Sequence, residues 1–143
     1  MTTYAVNENG ATTRYTGYDF DSFCHFNGKY YGIKADGLYL LDGTANATVE
    51  LGDMDFGTSL EKHRASAYVG CASDAPMELT ITQRGTDYTY PTRSYDDATN
   101  VQRFDVGKGL RANYFGVRVS NVDQSPFTID AVEVAAVATS RRI

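Results

Sequence analysis

Two pairs of aspartates have a spacing that could hold a hard cation. Asp19 with Asp21, and Asp53 with Asp55, are Asp-x-Asp pairs, and Ca²⁺ takes carboxylate oxygens as ligands. A calcium loop adds further oxygen ligands and a downstream Glu at a fixed spacing, and neither pair has that continuation. We therefore interpret both pairs as carboxylates on exposed strand faces. No metal site is predicted.

The cysteines and histidines could form a Cys-His dyad or a zinc site, because Cys24 precedes His25 and His63 lies near Cys71. Structural zinc sites usually take their cysteines in close pairs, and a nucleophilic Cys needs a base and an orienting group. The sequence shows neither. We predict two reduced, half-buried thiols, with a Cys24–Cys71 bridge as the alternative. We predict no catalytic residue, no cofactor site and no enzymatic activity.

The elements that would position these residues are strands. The 143 residues include 11 Tyr, 7 Phe and 13 Gly but only 3 Pro and no Trp, which is typical of an all-β chain. The net charge of −5 disfavours nucleic acid as a partner, because phosphate binding needs a cationic face. No run of about 18 apolar residues and no signal-peptide pattern is present, so the sequence predicts neither membrane insertion nor secretion.

Turn signals organise the N-terminal part. Residues 1–43 are predicted as an N-terminal arm or hairpin followed by a three-stranded β-meander over 17–42, with turns at Asn27-Gly28 and Asp36-Gly37. Tyr31, Tyr39 and Phe26 are expected to form one aromatic face. Because a short meander needs a packed layer, that face should dock on the rest of the chain or on a neighbouring subunit.

The remainder is predicted as an antiparallel, jelly-roll-like β-sandwich over 49–143 with almost no helix, joined to the meander by a linker at 44–48. Several segments alternate apolar and polar residues, as in Met77-Glu78-Leu79-Thr80-Ile81-Thr82. Turn clusters separate them at roughly 8- to 15-residue intervals. The predicted strands span 48–54, 63–72, 77–83, 86–91, 101–106, 112–120 and 126–138.

A series of segments occurs in a characteristic order along the chain. They are Tyr18-Asp19-Phe20-Asp21-Ser22-Phe23, Gly28-Lys29-Tyr30-Tyr31-Gly32, Asp36-Gly37-Leu38-Tyr39-Leu40-Leu41-Asp42-Gly43, Asp55-Phe56-Gly57-Thr58-Ser59, Lys62-His63-Arg64, Ala67-Tyr68-Val69-Gly70, residues 102–115, Phe127-Thr128-Ile129-Asp130-Ala131-Val132-Glu133-Val134 and Ser140-Arg141-Arg142-Ile143. Together they resemble a family of structural proteins from tailed bacteriophages. The order of these segments carries the resemblance, which covers most of residues 18–143.

The resemblance implies a non-enzymatic virion component, made in the host cytoplasm and placed in the tail or tail tip. It implies a cyclic homo-oligomer whose other partners are phage tail proteins. Tyr and Arg are enriched in protein interfaces, so the candidate interface residues are Tyr30, Tyr31, Tyr39, Arg141 and Arg142. The alternatives are a receptor- or glycan-binding module at the tail tip, with a host surface glycan as partner, and a capsid decoration protein.

Overall fold

The protein is built from β-strands. A computed structural model describes residues 2–107 and 109–140, and within them it has thirteen strands and no helix. The chain divides into two compact units, Met1–Gly43 and Thr44–Ile143, which we call unit 1 and unit 2. The prediction of an all-β fold is confirmed.

Unit 1 contains a hairpin and a three-stranded sheet, both antiparallel. The hairpin pairs β1 (Thr2–Val6) with β2 (Thr12–Thr16), and the sheet has the order β3 (Ser22–Phe26), β4 (Lys29–Lys34), β5 (Gly37–Leu40). Asn27 and Gly28 form the first turn of the sheet, with φ values of 50° and 74°, as the Asn-Gly signal predicts. The second turn lies one residue earlier than predicted, at Ala35 and Asp36, because Lys34 pairs with Gly37.

Unit 2 is a sandwich-like arrangement of two antiparallel sheets. Its strands are β6 (Thr48–Met54), β7 (Lys62–Ser73), β8 (Met77–Gln83), β9 (Thr86–Pro91), β10 (Asn100–Phe104), β11 (Arg111–Ala112), β12 (Phe115–Asn121) and β13 (Phe127–Ala138). One sheet has the order β6-β12-β8-β9. In the other, β13 pairs with β7 along its length, and β10 and β11 pair with the opposite edge of β7.

The core of unit 2 lies between the two sheets. It consists of buried side chains that recur at every second position of the inner strands, as the alternation predicts. They include Met77, Leu79 and Ile81 of β8, Phe115, Val117 and Val119 of β12, and Ala67, Val69 and Cys71 of β7. Tyr90, Phe127, Ile129, Val132 and Val134 pack against them from the flanking strands.

The edges of the sandwich are irregular. In β6, Gly52 has a φ of 71° at a bulge opposite Val117, where the register shifts between Gly116 and Arg118, and glycine adopts this backbone without strain. In β13 the register with β7 shifts between Ile129 and Ala131, which leaves Asp130 as the extra residue. Asp130 is exposed. Within the described residues, β13 pairs with β7 alone.

The segment Thr44–Ala47, part of the predicted linker, is fixed to the sandwich by Asn121. The side-chain Oδ1 of Asn121 accepts a hydrogen bond from the Ala47 N–H at 2.8 Å, and its Nδ2 donates to the carbonyls of Ala45 at 2.9 Å and Ser125 at 2.8 Å. Thr48 already belongs to β6. These bonds satisfy both ends of a nearly buried amide, as a buried polar group requires.

Lys62 is the largest fully buried side chain and has no carboxylate partner among the ion pairs of the described residues. Its Nζ donates to three backbone carbonyls, of Thr58 at 2.6 Å, Leu60 at 2.9 Å and Asn113 at 2.8 Å. The ammonium group has three donors, so this arrangement satisfies all of them. Lys62 thereby joins the loop before β7 to the segment before β12.

We expect Lys62→Met to lower the free energy of unfolding by about 2–4 kcal/mol, because it leaves three carbonyls near the core without their donor. Urea denaturation measures the change. The exposed Lys29 provides the control, since Lys29→Met should change stability by less than about 0.5 kcal/mol. Equal effects of the two substitutions would contradict this role for Lys62.

Gln102 on β10 is also buried, but its side-chain polar atoms, unlike the Lys62 ammonium group, lack partners in the part of the chain that the structure describes. Neither its Nε2 nor its Oε1 has a hydrogen-bond partner among the described residues. An unpaired buried amide opposes folding. We therefore expect Gln102→Met, which keeps the length of the side chain and removes the amide, to raise the free energy of unfolding by about 1–2 kcal/mol. Gln102→Glu should have the opposite sign, and a destabilising Gln102→Met would refute the expectation.

Candidate functional site

The centre of unit 1 is a contact between Phe20 and the backbone of Gly32. Among residues 2–43, Gly32 alone is buried. A Cβ placed on Gly32 would lie 2.5 Å from two atoms of the Phe20 ring, which is far inside van der Waals contact. Only glycine lets the ring lie directly on the strand at this position.

Other rings extend this contact across one face of the sheet. By register, Phe23 and Tyr39 lie on either side of Gly32, and both contact Phe20 with ring centroids 5.7 Å apart. The Lys34 Nζ lies 5.1 Å from the centroid of Phe20, a cation–π distance. We call this side, which carries Phe23, His25, Tyr30, Gly32, Lys34 and Tyr39, the inner face.

The aromatic contacts continue from the sheet to the hairpin. Tyr18 meets Phe20 edge to face at 5.9 Å, and Tyr18 stacks on Tyr15 of β2 at 4.8 Å with an interplanar angle of 11°. The Thr3 hydroxyl donates to the Tyr18 carbonyl at 2.6 Å. Aromatic pairs of these geometries contribute about 0.5–1.5 kcal/mol each beyond the area that they bury. Hairpin and sheet are therefore joined by rings.

The Tyr39 hydroxyl donates to Asp36 Oδ2 at 2.8 Å. The hydrogen bond to this carboxylate raises the pKa of Tyr39, with desolvation as the next cause. The same bond connects the turn before β5 to the inner face. Tyr39 is therefore a neutral hydrogen-bond donor whose ring is held from two sides, by Phe20 and by the turn.

The opposite side of the sheet is mostly apolar and bare within unit 1. By the same register it carries six apolar or weakly polar residues, Cys24, Phe26, Tyr31, Ile33, Leu38 and Leu40, together with Ser22 and Lys29. We call this side the outer face. Phe26 is 72% exposed and Leu38 62% exposed. Tyr31 is the most covered of the six. A patch of neighbouring exposed apolar side chains of this kind marks an interaction surface.

A groove lies on the inner side, between the hairpin and the sheet. Its volume is about 600 Å³, within the range of roughly 300–1,000 Å³ of small-molecule sites. Aromatic residues line it, together with Thr3, Thr13, Asn7 and small or aliphatic residues. They are Tyr4, Tyr15, Tyr18, Phe23 and Tyr30. By register the Tyr4 side chain lies on the other side of the hairpin from Tyr15. No lining residue is Asp, Glu, Lys, Arg or His. We call it the tyrosine groove.

The predicted interface residues are separated by this geometry. Tyr31 lies on the outer face and Tyr39 packs on the inner face. Tyr30 lines the tyrosine groove, and its ring centroid lies 4.6 Å from that of His25. The expectation that Tyr31, Tyr39 and Phe26 share one face is wrong. A two-residue turn pairs odd-numbered with even-numbered residues, so Tyr31 and Tyr39 point to opposite sides, and the spacing of the turn signals already contained this information. Arg141 and Arg142 lie outside the described residues.

The cysteines differ from the expectation of two half-buried thiols. Cys24 is exposed on the outer face, Cys71 is buried in the core of unit 2, and both are free. Burial raises the pKa of the Cys71 thiol, which keeps it protonated and unreactive. Asp55 accepts the Gly57 N–H at 2.9 Å in the turn after β6. In residues 2–107 and 109–140, no three His, Cys, Asp or Glu side chains cluster as metal ligands.

No family model matches the sequence, and no curated protein or solved structure matches it either. The part of the chain that the structure describes also contains no helix long and apolar enough to cross a membrane.

We expect Gly32→Ala to disrupt unit 1 selectively, because the new methyl group would displace the Phe20 ring. Overpacking of this kind costs about 1–3 kcal/mol. The near-ultraviolet circular dichroism of the tyrosines should weaken, and the aromatic resonances of unit 1 should shift in NMR spectra while those of unit 2 do not. Gly109→Ala is the control, since a Cβ there would meet nothing within 4 Å.

A second substitution tests the cause. Phe20→Leu in the Gly32→Ala background should recover part of the lost signal, because the smaller side chain makes room for the methyl group. A Gly32→Ala variant with an unchanged spectrum would show that Phe20 does not depend on the bare backbone of Gly32.

Proposed function

We propose that this protein is a non-enzymatic structural component of a bacteriophage virion, in the tail or tail tip, that acts by assembling with copies of itself and with neighbouring virion proteins. The outer face of unit 1 is the observation that carries the assembly function. The sequence resemblance described above supports the virion. In this proposal the protein is located in the virion.

The composition of the outer face supports assembly. Apart from Ser22, Cys24 and Lys29, its side chains are aromatic or aliphatic, and burying one such side chain fully contributes about 1.5–3 kcal/mol. Phe26 and Leu38 contribute little to unit 1 while they remain exposed. Contact with another protein would recover that free energy. An exposed cluster of this kind in a chain of net charge −5 favours an apolar partner surface over an ionic one.

The size of the outer face supports a repeated contact. Three strands spaced by about 4.8 Å, each rising about 3.4 Å per residue over four to six residues, cover roughly 200–300 Å². A stable binary interface buries about 800 Å² on each partner. One outer face alone therefore gives a weak contact, and a closed ring, in which every copy contributes two surfaces, adds such contacts together.

The alternatives to a tail protein use the same surfaces differently. A capsid decoration protein would assemble through the outer face on another part of the particle. Recognition of a host surface glycan is the other alternative, and the tyrosine groove is the feature that supports it. Immunogold labelling of intact particles distinguishes tail from capsid, and absence of the protein from purified virions by mass spectrometry would refute every virion function.

We expect the purified protein to self-associate as its concentration rises, and a variant with Phe26→Ser and Leu38→Ser to need at least about tenfold higher concentration for the same association, since two apolar contacts are lost. Sedimentation velocity measures both. The control is Val101→Ser on β10, because Val101 is also exposed and lies in unit 2. Equal effects of the control and the outer-face variant would contradict a specific role for the outer face.

A further inference from the structure

We infer that the tyrosine groove is a binding site for a neutral oligosaccharide. The inference is independent of assembly through the outer face, because the groove lies on the other side of the sheet and needs no second copy. For the glycan-binding alternative proposed above, this inference names the chemical class of the glycan and places its binding site in the groove.

The rings of the groove are available and held in position. Tyr30 is 63% exposed and Tyr15 38% exposed, so both rings are open to a ligand. Tyr15 and Tyr18 support each other by stacking, and Tyr30 is supported by His25. A pyranose ring has one side of C–H groups that packs on an aromatic face and a rim of hydroxyl groups. Rings fixed before binding reduce the entropic cost of association.

Polar groups accompany the rings. The Asn7 Oδ1 accepts the N–H groups of Asn9 at 3.0 Å and Ala11 at 2.9 Å. Because both partners are donors, the oxygen must face them, and the two Nδ2 hydrogens remain for a ligand. Thr13 and the tyrosine hydroxyls add groups that both donate and accept. A sugar hydroxyl, which also donates and accepts, matches this set better than a hydrocarbon does.

The charge of the groove excludes ionic ligands as its best occupants. No lining residue is acidic, basic or a histidine, while the chain as a whole carries −5. A sulfated or uronic saccharide would lose hydration on entry without gaining a counter-charge, and the net negative charge would oppose its approach. The absence of charged lining groups therefore favours the binding of neutral glycans over anionic ones.

The test is an array of bacterial surface polysaccharides, neutral and anionic, probed with the full chain, followed by titration of the best neutral oligosaccharide. We expect binding of neutral members with a Kd of about 0.1–1 mM for an isolated site. The chain has no Trp, so tyrosine fluorescence reports the titration directly.

Variants locate the site. Tyr15→Ala and Tyr30→Ala should each weaken binding about 3- to 10-fold, the loss expected for one aromatic stacking contact. Tyr95→Ala in unit 2, where Tyr95 is 53% exposed, should leave binding unchanged. All three side chains are exposed, so the fold should tolerate the substitutions, and circular dichroism verifies this.

Three results would overturn the inference. They are no binding to any neutral polysaccharide, stronger binding of the anionic ones, and neutral binding that Tyr15→Ala and Tyr30→Ala leave unchanged. Occupation of the groove by an apolar peptide in preference to saccharides, measured by competition, would overturn it as well. None of these results depends on whether the outer face mediates assembly, since a monomer retains the complete groove.

Discussion

The structure of unit 1 depends on one constraint: it has almost no interior. Among residues 2–43 only Gly32 is buried, and a unit of this size lies near the limit below which chains usually need disulfides, metals or oligomerisation to fold. The packing of Phe20 on Gly32 takes the place of a core, and the rings of Phe23, Tyr39, Tyr18 and Tyr15 extend it to the hairpin. Because all of this packing is on the inner face, the outer face is left without a layer of its own. The exposed apolar surface and the aromatic cluster are therefore two results of the same shortage of interior.

Unit 2 solves the same problem with two sheets. The inner faces of β7, β8 and β12 supply a continuous apolar core, so its loops can be fixed by polar groups. Lys62 and Asn121 show how, since each side chain satisfies several backbone groups at once. On the surface, Asp87 of β9 accepts a hydrogen bond from Thr82 of the neighbouring β8 and pairs with Arg118 of β12, on the far side of β8. These hydrogen bonds lower the pKa of Asp87. The sandwich therefore has the interior that unit 1 lacks.

Much of the fold follows from local sequence. The strands of unit 2 agree with the predicted ranges within a few residues, because turn signals such as Arg84-Gly85, with φ values of 49° and 78°, fix where strands end. The prediction joined β11 to β12 and did not separate the residues of unit 1 into two faces. Because a two-residue turn pairs odd-numbered with even-numbered residues, the turn signals alone would have placed Tyr31 and Tyr39 on opposite faces. The contact of Phe20 with Gly32 and the burial of Lys62 depend on which segments approach in space, and no spacing in the sequence encodes that. The sequence therefore predicts the candidate surfaces only in part. It singles out Tyr30 and Tyr31, but not that Tyr30 lines the groove and Tyr31 lies on the outer face.

The irregular edge of β13 bears on how large an assembly can become. A regular twelve-residue edge strand offers a template on which further strands can add without limit. The extra residue at Asp130 interrupts that template and places a carboxylate at the break. Growth by strand addition at this edge would have to accommodate the bulge and bring like charges together at every step. A protein whose sandwich edge resists strand addition in this way can carry an exposed apolar surface, such as the outer face, and still form particles of finite size.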